Sequence, residues 1–396
     1  MAVDPHPDAM PQADTPALAH SQALAALIMS RIDAAGGALR FSRFMDLALY
    51  APGLGYYSAG AAKFGPAGDF VTAPEISPLF ARCLARNCAP VIDSLSGPSE
   101  ILELGAGSGA MAADLMLELD RLGALPARYL ILEPSADLRQ RQQQILAERV
   151  PGLAKRVHWL EHMPDRLRGV IVANEVMDAL PCERFQIGDS GIEYLGVTHR
   201  DGCLDWQPQP SDPALLAQQS LIEAALGEAL APGFRSEWHP SLPAWIASVA
   251  SALDQGLLLL IDYGLPRRQL YHPQRSDGTL LCHYRHRVHA DPFFLPGLQD
   301  ITAWVDFTAV AEAAQDQGLT LDGFVTQAAF LLGSGLDSML SGPVGDRPRE
   351  SIEQARQVRW LTLPGEMGER FKVMGFSRGW DGQCPGLTGA DLSGSL

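Results

Sequence analysis

Three glycines, Gly105, Gly107 and Gly109, follow the apolar run Ile101, Leu102, Leu104 in ILELGAGSGAMAADLM, residues 101–116. Glycine has no side chain to block a ligand and turns sharply, so this spacing lets main chain approach a bound group where a helix begins. A phosphate would sit on that helix N-terminus, and GAGSGA also satisfies the loose dinucleotide pattern with Ala110 in the last place. Taken alone, the loop fits a dinucleotide, another nucleoside or a plain structural turn. Two acids weight the choice. Glu103 lies two residues before the first glycine, where it could meet a positively charged amino acid moiety, and Glu133 ends the next apolar run in YLILEPSADL, where a carboxylate can accept both hydroxyls of a ribose. S-adenosylmethionine has an ammonium, a sulfonium and a ribose diol but no phosphate, and it is the cofactor these residues predict.

Further acids stand where other strands should end. In ANEVMDALP, Asn174 and Glu175 close an apolar run and Asp178 follows three residues on. The plainer readings are a helix N-cap for Asp178 and a structural ion pair for Glu175. GDFVTAPEIS offers Asp69, Thr72 and Glu75 in a segment too polar and too punctuated for a regular element, which a solvated connector would also explain. HYRHRVH spaces His283, His286 and His289 so that neither helix nor strand gathers all three on one face, and no metal site is expected. A serine hydrolase would need a GxSxG elbow, and GAGSGAM lacks it.

The elements that must position these groups alternate. Apolar strands are predicted at 101–104, 129–133, 157–160, within 169–181 and over 256–264, with helical patterns between most of them, which implies a parallel sheet covered by helices on both faces. In such a sheet ligands bind beyond the carboxyl ends of the strands. The glycine loop, Glu133, Asn174, Glu175, Asp178 and the pair Asp262 and Tyr263 all fall there. Short alternating runs over 183–209 interrupt the pattern as an antiparallel insertion, followed by helices over 213–230 and 242–254. Residues 300–327 read as strand, helix and strand, and 368–379 as a last strand, rebuilding the end of the sheet. Upstream, 21–37, 41–58 and 65–95 supply three helical segments.

The expected organisation is therefore α/β: a disordered tail over 1–20, an N-terminal helical cap over 21–98, a cofactor core over 99–182, an inserted antiparallel and helical substrate subdomain over 183–255, and the rest of the core over 256–396. The tail is Pro- and Asp-rich, with no basic residue or apolar core, so it is read as neither signal nor transit peptide. With 47% hydrophobic and 19% charged residues, a packed interior is easily supplied. The net charge of -16 argues against a broad nucleic-acid surface and favours cationic partners. Six cysteines without a CxxC pair indicate neither a zinc knuckle nor a disulfide framework, and a reducing cytoplasm is the simplest home. The longest apolar runs fall far short of the ~20 residues of a membrane span.

The motifs GYYS, GDFVTAPEISPLF, ELGAGSG, ANEVMDALP, IDYG, and GTLLCHYRH with PGLQDITAWVDF together resemble the MidA-like family from about residue 30 to the C-terminus. Its mitochondrial members assist assembly of respiratory complex I. The resemblance implies a seven-stranded class I methyltransferase fold, Rossmann-like, using S-adenosylmethionine, and a protein arginine as methyl acceptor, with a respiratory complex subunit as partner. Departures are few: Ala81 stands where the family often has Gly, Val176 and Met177 where it has Phe-Phe, and Trp304 where it has His. An arginine acceptor needs carboxylates to orient the guanidinium and take its proton. Glu175 is then the first catalytic candidate, with Asp178, Glu75 and Asp69 beside it, while Asn174 and Thr72 join Glu103, the three glycines and Glu133 on the cofactor side. A small-molecule methyltransferase, or a non-catalytic module that binds cofactor and holds a partner, shares the same cofactor residues.

Overall fold

The computed structural model describes residues 10–58, 72–340 and 348–396. They fall in two compact units. Among the described residues, one comprises 72–176, 243–264, 310–340 and 348–396; the other comprises 10–58, 177–242 and 265–309.

The first unit is built on seven strands: β1 (Glu100–Leu104), β2 (Arg128–Leu132), β3 (Val157–Leu160), β4 (Leu167–Asn174), β5 (Leu253–Leu265), β6 (Thr320–Thr326) and β7 (Phe371–Arg378). Their order across the sheet is β3-β2-β1-β4-β5-β7-β6. β1 pairs in parallel with β2 and β4, β2 with β3, and β4 with β5; β7 runs antiparallel between β5 and β6. This is the sheet of a class I methyltransferase, mostly parallel with one reversed strand. Alternation along the strands sends Ile101, Tyr129, Ile131, Val170, Val172, Leu257, Leu259 and Ile261 into one core. The helices Pro78–Ser94 and Ala110–Leu122 add Phe80, Leu84, Cys88, Leu115 and Leu119 to it. These strands are apolar almost throughout because both faces of a parallel sheet are covered.

The second unit holds the helices Thr15–Ala34 and Phe41–Tyr50 with two antiparallel sheets. Strands Cys203–Pro210, Gly191–Arg200, Glu183–Gly188 and Arg235–Trp238 lie side by side in that order, and helix Pro213–Leu226 packs Leu215 and Ile222 into a core with Phe185 and Tyr194. Strand Leu281–Tyr284 lies between Arg287–His289 and Asp300–Thr302.

Three expectations change. The tail predicted to reach residue 20 gives way to a helix at Thr15, because the Asp14 side chain accepts the Ala17 N–H at 2.9 Å and a proline occupies the first turn. The strand expected at the start of 300–327 joins Leu281–Tyr284, so only the part from Phe307 onward leads into β6. The upstream helices separate as well, with Pro78–Ser94 in the first unit and the two before it in the second.

Candidate functional site

The parallel strands β2, β1, β4 and β5 end on the same edge, and each is followed there by residues able to do chemistry. Strand β1 runs into the glycine loop. Gly105, Gly107 and Gly109 all have positive φ, at 68°, 53° and 88°. A Cβ on Gly105 would stand 2.8 Å from Cγ2 of Val176, and one on Gly109 would stand 3.3 Å from Cα of Gln142. Both the backbone conformation and the lack of room thus require glycine at these two positions. Gly109 is the N-cap of helix Ala110–Leu122, so the loop delivers the first free N–H groups of that helix to the strand edge.

Glu133 follows β2 and is 5% exposed. Its Oε1 accepts the Ser135 N–H at 2.9 Å, and its Oε2 accepts from Nε2 of Gln142 at 3.2 Å. The same Nε2 donates to the Gly107 carbonyl at 3.0 Å, while Oε1 of Gln142 accepts from Trp159 Nε1 at 2.8 Å. Fully buried Gln142 therefore ties the glycine loop, the acid after β2 and strand β3 into one network. The reading of the sequence missed it, although a signal was present: Leu138, Gln142 and Leu146 are spaced by four, which puts the amide on the buried stripe of helix Ala136–Arg149.

The loop is held from a second direction. Short helix Ala73–Ile76 carries Glu75, whose Oε1 accepts from the Ser108 hydroxyl within the loop. Thr72 caps that helix through its carbonyl, which takes the N–H groups of Glu75 at 2.9 Å and Ile76 at 3.1 Å. Asp69 lies outside the described residues.

Glu103 has an internal seat. It is 1% exposed, and its Oε2 accepts the Tyr129 hydroxyl at 2.6 Å across the β1–β2 pair. Burial pushes its carboxyl up to about 7, the phenol donor drawing it part of the way back. The contact that Glu103 makes within the chain is thus with a phenol inside the core.

At the end of β4, Glu175 adopts φ 55° and donates its N–H to the Ile261 carbonyl of β5 at 2.9 Å. A side chain in this left-handed region costs free energy that glycine would avoid. Asn174 is 7% exposed and donates from Nδ2 to Oε1 of Glu175 at 3.1 Å. Asp262 of β5 is fully buried and accepts the Tyr263 N–H at 2.9 Å.

Asp178 belongs to the second unit. Its carbonyl accepts the Ala303 N–H, and a turn, not a helix, continues from it, so it is not a helix N-cap. Nearby, Tyr50 stacks on Tyr57 with ring centroids 5.5 Å apart, and Tyr57 donates to Oδ1 of Asp300 at 3.0 Å. Burial first, then the charges of Asp300 and Asp178, raise the Tyr50 phenol well above its ordinary range. In the same unit, His283 and His289 sit on the two strands of a hairpin whose turn contains Arg285 and His286 at positive φ. Among the described residues no group of three His, Cys, Asp or Glu side chains could hold a metal ion.

Comparison with known proteins bears on this geometry. Residues 83–325 match a family model described as "Putative S-adenosyl-L-methionine-dependent methyltransferase". A crystal structure from Burkholderia thailandensis, bound to S-adenosyl-homocysteine, is 42% identical, covers 98% of this chain and 100% of its own, and superimposes with a TM-score of 0.93. Protein arginine methyltransferase NDUFAF7, mitochondrial, of Danio rerio is 27% identical over 85% of this chain and 83% of its own length. Its counterpart in Mus musculus is 29% identical over 85% and 80%.

Proposed function

The chain belongs to the family of S-adenosyl-L-methionine-dependent methyltransferases, and from that premise we propose that it methylates an arginine side chain of a protein. The observation that carries the reading is that acids flank the glycine loop: Glu75 accepts from Ser108 within it, and Glu175 follows β4, the strand paired beside β1, next to Val176, whose Cγ2 leaves no room for a Cβ on Gly105.

The residues at the strand edge fit the cofactor. The three glycines leave main chain open to close approach, and Glu133 presents a carboxylate held in place by Ser135 and Gln142, suited to the two hydroxyls of a ribose. Bound there, S-adenosylmethionine supplies an electrophilic methyl group on a sulfonium. The remaining work falls to the chain. A guanidinium stays protonated, with a pKa above about 12, and is a poor nucleophile. A carboxylate pairs with it through forked hydrogen bonds, draws charge away from the attacking nitrogen and takes the released proton. Glu175 is assigned that role, supported by Glu75; holding the acceptor in line can contribute about 7–11 kcal/mol. The acceptor class named for the animal relatives agrees with this chemistry. A net charge of -16 favours approach of a cationic segment.

The test is transfer of labelled methyl groups into the proteins of a cell lysate, including respiratory complex subunits, followed by mass spectrometry of the labelled band. Methylarginine is the expected product. Label confined to small molecules, or to residues other than arginine, would overturn the acceptor assignment and leave the methyltransferase standing.

A further inference from the structure

Oδ1 of Asn174 is buried and has no hydrogen-bond partner among the described residues. The amide turns its NH2 toward Glu175 in the 3.1 Å contact, and the oxygen is the end left over. Buried polar atoms are nearly always satisfied, so this oxygen marks a place for a donor that the chain itself does not provide. The location agrees. Ala173, the preceding residue, pairs with Leu104, the residue before the glycine loop, and Glu175 is pinned by its N–H to Ile261 of β5.

Resting on the methyltransferase reading, we propose that Asn174 recognises the methyl acceptor, its Oδ1 accepting a hydrogen bond from an N–H of the acceptor nitrogen. Its place in the sequence had put it on the cofactor side. Strand order separates the two roles: Glu133 follows β2 and Asn174 ends β4, with β1 between them, so they stand about 10 Å apart at the usual strand spacing. The ribose acceptor and Asn174 thus lie on opposite sides of the glycine loop. A neutral acceptor locked beside a carboxylate suits a donor with several N–H bonds and a positive charge. Guanidinium and ammonium groups meet that description, whereas a hydroxyl or thiol offers a single hydrogen and no charge. The site therefore binds a protonated nitrogen group, which passes a proton to Glu175 so that the nitrogen can attack the methyl.

The full chain, loaded with S-adenosyl-homocysteine, is titrated calorimetrically with two probes, N-acetylarginine methylamide and n-butylammonium. Wild type is compared with Asn174→Ala and with Asn174→Asp, which keeps an acceptor oxygen and serves if the alanine variant does not fold. The inference expects affinity for S-adenosyl-homocysteine to stay within about twofold throughout, and binding of the preferred probe to weaken about tenfold in Asn174→Ala but less in Asn174→Asp. It is overturned if Asn174→Ala loses cofactor affinity and keeps probe affinity, if neither affinity changes, or if wild type binds neither probe. Binding of the ammonium probe alone would remove the arginine reading and leave the role of Asn174 intact.

Discussion

Gln142 donates its side-chain amide to the main-chain carbonyl of Gly107 at 3.0 Å, fastening helix Ala136–Arg149 to the glycine loop. Because the same amide also meets Glu133 and Trp159, its loss leaves three polar partners, buried Glu133 and half-buried Gly107 and Trp159, without their bonds. Gln142→Leu keeps the volume and removes the polarity. It should cost about 1–3 kcal/mol of stability and weaken cofactor binding, read as a lower melting temperature and a higher calorimetric Kd. An unchanged Kd would separate the network from the cofactor.

Gly105→Ala meets two obstacles at once, φ 68° and a Cβ 2.8 Å from Val176. The left-handed backbone alone costs about 1–2 kcal/mol for an L-residue. Cofactor affinity should fall at least about tenfold, and Gly105→Ala/Val176→Ala should recover only the part due to contact. Full recovery in the double variant would mean that the backbone conformation is not required.

Glu103 makes stability depend on pH. Its folded carboxyl titrates near 7 against an ordinary value of 4.5, so between these values the native state binds more protons than the unfolded chain. Stability contributed by the neutral acid is complete below about 4.5 and is lost as pH rises through 7. Glu103→Gln stays neutral at every pH and can still accept from Tyr129, so it should melt higher than wild type at pH 8 and show a flatter profile between pH 5 and 8. Parallel melting curves across that range would contradict the assignment.

Glu175→Gln should fold, bind cofactor as wild type does, and lose most methyl transfer, about 100-fold or more, because a neutral amide neither offsets a guanidinium nor takes its proton. Melting temperature, cofactor Kd and transfer rate measured on one preparation decide it. Full activity in a well-folded variant would move the role to Glu75.

The strands that carry the candidate site were legible because each is an apolar run, interrupted only by Glu103 in β1, bounded by Gly, Pro or an acid, and the parallel topology follows from their alternation with helices. Glu133 and the glycines could be found the same way, since strand ends are local features. The partners of these groups were not legible. Tyr129 meets Glu103 only through strand pairing, and Glu75 meets Ser108 across a gap of more than thirty residues. Gln142 was hidden by its polarity within an apolar stripe. The three-residue strand Asp300–Thr302 was assigned to the wrong sheet because a run that short fixes no neighbour.

The left-handed backbone of Glu175 sets chemistry against economy of folding. Glycine is the residue best suited to φ 55°, so Glu175→Gly relieves backbone strain while leaving the buried Asn174 amide without its acceptor, two changes of opposite sign and similar size, and should yield a protein that melts close to the parent and transfers nothing. A search for thermostable variants that screened only for folding would have no reason to keep the carboxylate, and selection for turnover would restore it.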